Sequence, residues 1–156
     1  LSYPGTISLR TSTFLGVVED IIRSLYGAGF RKVFVMNGHG GNSSVRTTLF
    51  ELANDLSDLK IFWYSWWESH SIEAVAMAHD LKTSHASWME AFPFTIVSEL
   101  PDTVKIPPRV DGLYSAVESR ELYGDGMFGG HYQVSSEIMD EVFTAALKDV
   151  LEFINF

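Results

Sequence analysis

The 156-residue chain contains no cysteine, which excludes disulfide staples and any thiolate site, whether nucleophile or metal ligand. Basic side chains are scarce: 11 Lys and Arg stand against 20 Asp and Glu, a formal net charge of −9. That balance argues against nucleic acid and against anionic membranes as partners. No hydrophobic run approaches the roughly 20 residues of a membrane span, and no signal peptide is visible. These absences fit a cytoplasmic protein. Hydrophobic residues still make up 46% of the chain, enough for a single globular domain over residues 1–156 with a sizeable core.

The stretch that organises the chain is Lys32-Val33-Phe34-Val35-Met36-Asn37-Gly38-His39-Gly40-Gly41-Asn42. Its valine-rich start predicts a buried strand, Lys32–Met36. The next helical pattern begins near Ser44, so His39 falls on a tight turn at the carboxyl end of the strand. In open α/β sheets that edge is where ligands bind. The flanking glycines bare the backbone, and Asn37 and Asn42 bracket the turn with side chains that can hydrogen-bond to it. Two other readings of the stretch are an exposed histidine on a glycine turn and a phosphate cradle at a helix N-terminus. The cradle lacks both the Gly-Lys-Ser/Thr ending of a P-loop and the Gly-x-Gly-x-x-Gly order of a dinucleotide site.

Around this stretch the pattern predicts a helix of about 14 residues from an N-cap at Ser12, with Gly27 and Gly29 ending it. A helix over Ser44–Asp55 and a second buried strand, Lys60–Trp66, follow. Strand, helix, strand in that order predicts an α/β fold with a parallel sheet. Ser71–His79 reads as helical, and His85–Val97 as partly helical with Pro93 limiting it. Glu99–Gly130 is poor in periodicity, and a last helix capped by Ser135 or Ser136 runs to the C-terminus. Two further groups of residues bear on chemistry. His85 is followed by Glu90, and the two share a side only if helix begins after His85. Trp67 stands at the end of the second strand, where a pocket wall would lie, while His70 and His79 read as solvated.

Pro4-Gly5-Thr6-Ile7-Ser8-Leu9, Asn37-Gly38-His39-Gly40-Gly41-Asn42, His85 with Glu90, and Gly124-Asp125-Gly126-Met127-Phe128-Gly129-Gly130 occur in one order. In that order the chain resembles the creatininase (creatinine amidohydrolase) family over nearly its whole length. The resemblance implies a three-layer α/β/α fold with a mainly parallel sheet. It implies hydrolysis of a non-peptide C–N bond, in a cyclic or linear amide, at a centre of two divalent ions such as zinc, manganese or iron. On this basis His39 is expected to ligate one ion and Glu90 the other. His85 is expected to carry protons, Trp67 to face a small-molecule substrate, and Asn37 and Asn42 to hold the His39 turn, while Trp88, where the family has Glu, is expected to reshape the substrate pocket. Homo-oligomers, including hexamers, are also implied.

Departures from the family pattern carry their own expectations. The Glu-x-His pair and bridging Asp of the family's N-terminal half are not in this chain, which reads as the C-terminal part of a member. Where many members have His-Ala-Gly-Glu-x-Glu-Thr, this chain has His85-Ala86-Ser87-Trp88-Met89-Glu90-Ala91. Leu81 and Gly41 stand where creatinine-cleaving members have Trp and Glu, so another amide is expected as substrate. The competing reading is a non-catalytic binding or assembly module on the same fold.

Overall fold

The computed structural model describes Ser2 to Asn155. These residues form two compact units. The first comprises Ser8–Trp66 with the C-terminal residues from Glu152 onward; the second comprises the N-terminal residues to Ile7 with Trp67–Leu151.

The first unit is built on α1 (Thr11–Gly27), β1 (Lys32–Asn37), α2 (Val45–Asp55) and β2 (Lys60–Ser65). β1 and β2 pair in parallel, with Val33 opposite Ile61, Val35 opposite Trp63 and Asn37 opposite Ser65. This is the predicted strand–helix–strand unit, and it makes the fold α/β. Side chains alternate across the pair. Val33, Val35, Ile61 and Trp63 join Ile22, Val45, Leu49, Leu52 and Leu59 in a core shared with α1 and α2. On the opposite face Phe34, Phe62 and Tyr64 meet the ring of Phe153, with Phe62 and Phe153 centroids 4.6 Å apart. Among the described residues no third strand joins this sheet, and Met36 on β1 is 57% exposed.

Some boundaries differ from the sequence reading. α1 is not capped by Ser12: Arg10, in extended geometry, is the N-cap, with its carbonyl accepting from Phe14 N–H. β2 stops at Ser65 because Trp66 opens a 3-10 turn, Trp66–Glu68.

The second unit holds α3 (His70–Ala78), β3 (Val104–Lys105), α4 (Ala116–Tyr123), β4 (Gly130–His131) and most of α5 (Ser136–Phe153). Ser69 caps α3 by accepting from Ile72 N–H. The His85–Val97 stretch is barely helical: a single 3-10 turn, Trp88–Glu90, is all that forms, since Ala86 sits at φ +53 and breaks any helical start. The aperiodic segment is less irregular than its composition implies. It contains α4, entered through a reciprocal capping box between Ser115 and Glu118, and the antiparallel β3–β4 bridge. His79 is not simply solvated, because its Nε2 lies 2.9 Å from Glu141 on α5.

Candidate functional site

The His39 turn grows from the last residue of β1. Asn37 is only 4% exposed, so both ends of its amide need partners. Its Nδ2 donates to Ser65 Oγ at 3.2 Å, across the strand pair, and Ser65 Oγ also accepts from Trp63 Nε1 at 3.1 Å. The amide oxygen is thereby turned toward the loop, where it accepts from His39 N–H at 3.2 Å and from Asn42 Nδ2 at 3.1 Å. A 3-10 turn, Gly40–Asn42, follows, closed by Asn42 N–H to His39 O and Ser43 N–H to Gly40 O. His39 itself is exposed and in extended geometry, and its Nδ1 accepts from Gly41 N–H at 3.0 Å. A neutral ring accepting at Nδ1 carries its proton on Nε2.

Gly41 is required by this arrangement. A Cβ there would fall 2.9 Å from His39 Nδ1 and 3.1 Å from Cε1, so any side chain at position 41 displaces the imidazole. The turn also disposes of the phosphate cradle, because the N–H groups of His39, Gly41, Asn42 and Ser43 are all spent inside it.

His85 belongs to the other unit and lies on a loop, exposed. The backbone beside it is pinned twice. Its carbonyl accepts from Phe128 N–H at 3.1 Å, and the next N–H, of Ala86, donates to Glu90 Oε1 at 3.1 Å. Ala86, at φ +53, is a non-glycine residue in the left-handed region, a conformation that persists only where surroundings impose it. The 3-10 turn thus brings Glu90 back onto the His85 loop, which a continuous helix would not have done. The His85 ring meets that of Phe128 at 4.6 Å between centroids.

Trp88 calls for a correction. It is 0% exposed, and its indole N–H donates to Lys82 O at 3.0 Å, so it packs the interior and presents no face to a substrate. Trp67 is half-buried in the 3-10 turn that follows β2. The structure thus gathers Asn37, His39 and Asn42 in one unit, and His85 and Glu90 in the other. Sequence reasoning missed Ser65 and Trp63, whose only signal is that a small polar residue closes an otherwise apolar strand. Phe128 was missed too; its signal is the cluster of glycines around a single aromatic side chain.

The implied two-ion centre can be tested against these donors. A metal-bound imidazole presents one nitrogen to the ion and donates its other N–H outward. His39 does the reverse at Nδ1, and one oxygen of Glu90 is engaged by Ala86. Among the described residues no group of three or more His, Asp or Glu side chains gathers to hold an ion. The described residues do not by themselves fit the centre.

A parallel α/β fold with a glycine-flanked histidine at the carboxyl end of a strand is the class of protein this geometry defines. Comparison with known proteins narrows it. The family described as Creatininase: Creatinine amidohydrolase matches residues 1–154, and the chain belongs to that family. A creatinine amidohydrolase of Pseudomonas putida is 38% identical over 72 residues, covering 42% of this chain and 28% of that protein.

Proposed function

We propose that the chain is part of an amidohydrolase acting on a non-peptide C–N bond of a small cyclic or linear amide. The observation that carries the reading is the His39 turn: an exposed imidazole at a strand's carboxyl end, fixed through Asn37 and Ser65, in a chain that matches the creatininase family along its length. On this reading His85 moves a proton between water and the leaving nitrogen, work that a loop histidine with a pinned backbone is suited to. Trp67 forms part of the pocket wall. His39 and Glu90 would each supply one donor to a different divalent ion, zinc, manganese or iron, which would activate the attacking water. Ligation by His39 requires its ring to release Gly41 N–H.

Two features favour an amide other than creatinine. Gly41 offers no carboxylate where creatinine-cleaving members are expected to have Glu. Leu81 offers no indole. The reading extends to a cytoplasmic homo-oligomer, hexamers included, as membership of the family suggests. No described helix is long and apolar enough to cross a membrane.

The test uses the full-length protein, assayed by elemental analysis after dialysis and by hydrolysis of a panel of amides that includes creatinine. The expected result is up to two ions per chain and turnover of a non-creatinine amide. His39→Ala and Glu90→Ala are each expected to lose an ion. A metal-free protein that turns over nothing on the panel would overturn the reading and favour a non-catalytic binding or assembly module.

A further inference from the structure

The run Gly124–Gly130 has no part in the chemistry above, yet its conformation is fixed at nearly every residue. Gly124, Gly126, Gly129 and Gly130 hold φ values of +67, +96, +136 and +95, which side chains rarely adopt. The Asp125 carboxylate takes Lys105 Nζ, Tyr132 OH at 2.7 Å and Met127 N–H at 3.1 Å, and Lys105 also donates to Tyr123 O. Met127 is 2% exposed and anchors the loop inward. A Cβ on Gly129 would lie 2.6 Å from Pro107 Cγ, so the backbone there is pressed against proline.

What this frame presents outward is Phe128, 43% exposed. Its ring stacks on Tyr123 at 4.3 Å and 17°, and leans on His85 at 4.6 Å and 56°. Its N–H holds the His85 carbonyl. The ring is thus held half open beside an exposed imidazole. We propose that Phe128 is a positioning residue for His85, with the Asp125 clamp as the device that holds Phe128 in place. An exposed histidine otherwise samples several rotamers. The aromatic face removes some of them, and the backbone bond fixes the point from which the side chain departs. The inference rests on His85 as the proton carrier.

The test compares Phe128→Leu, Phe128→Tyr and Asp125→Asn in the full-length protein, with His85→Gln as reference. Two quantities are read: the chemical shifts of the His85 ring protons, identified by their loss in His85→Gln, and kcat and KM on the best amide. Leucine keeps the backbone N–H and removes the ring current. It is expected to move the His85 resonances and to lower kcat about 10-fold with KM unchanged, the size of effect a misplaced reacting group gives. Tyrosine is expected to restore both. If the leucine variant fails to fold, Asp125→Asn supplies the reading, with smaller changes in the same direction. Unmoved His85 resonances, or moved resonances with unchanged kcat, would overturn the positioning role. A fully active His85→Gln protein would instead overturn the hydrolytic role of His85, and the inference with it.

Discussion

The His39 turn and the His85 loop solve one problem, holding an exposed imidazole, by opposite means. At His39 the fixing groups are neutral and, apart from one serine across the strand pair, close in sequence: an asparagine, a second asparagine and a backbone N–H. The backbone of His39 is extended, at φ −156, and unstrained. At His85 a local bond to Glu90 is joined by one from Phe128 in a distant segment, the next residue is left-handed, and the supporting loop depends on a charged clamp. The comparison teaches that a histidine carried by a strand end can be specified by a short motif. One carried by a loop needs a scaffold spread along the chain.

Breaking the distant scaffold should have the largest effect. Gly129→Ala forces a Cβ into Pro107 at a φ of +136. A cost of about 3 kcal/mol is expected from strain plus overpacking, lowering Tm by about 6–12 °C in a chain of this size. Thermal denaturation followed by circular dichroism measures it, and an unchanged Tm would show that Pro107 yields freely. Asn37→Ala comes next. It leaves Ser65 Oγ and the His39 and Asn42 donors without their buried partner, at about 2 kcal/mol. Hydrogen exchange should quicken at His39 and Asn42 while the His85 loop keeps its protection. Quickening in both would deny that the two regions are built separately.

Gly41→Ala should be milder, under about 1 kcal/mol, because the atom it meets is the end of an exposed side chain. It should turn the His39 ring away from Gly41 N–H, which nitrogen chemical shifts of the imidazole report as loss of the Nδ1-acceptor state. Acid should have the smallest effect. Partial burial alone would raise the Asp125 pKa, but hydrogen bonds from Lys105, Tyr132 and Met127 N–H, with the Lys105 charge, outweigh it and hold the carboxyl below its ordinary 3.8. A lowered folded-state pKa stabilises the clamp above the ordinary carboxylate value, and that contribution disappears as pH falls through the lowered one. The Phe128 loop should therefore stay closed at pH 5 and loosen only in stronger acid, as Tyr123 and Phe128 ring-proton shifts would show. Loosening already near pH 5 would contradict the clamp.

The same contrast explains what the sequence made legible. β1, β2 and α2 were readable because hydrophobic period and glycine punctuation are local signals, and the Asn37–Asn42 bracket lies within one turn. The partner of Asn37 was not readable, since the β1–β2 register, which sets Ser65 opposite it, is not written in either segment alone. α4 was missed although Ser115 and Glu118 form a capping box, because the prolines and glycines around them dominate the composition of that segment. Trp88 was read as reshaping the pocket because it replaces a Glu of the family motif, and burial placed it in the interior. Contact between His85 and Phe128 depends on how a glycine run folds, and glycines by themselves do not dictate one conformation.

On the proposed function, His39 and His85, each held in its own unit, are both needed for hydrolysis. The most direct test is a double-mutant comparison on the full-length protein, measuring kcat/KM on the best amide for His39→Ala, His85→Ala and the pair. Each single change is expected to cost about 100-fold or more, with the double variant little worse than either single one, as groups acting as a unit behave. Losses that multiply in the double variant, or full activity in either single variant, would show that the two histidines do not share that reaction.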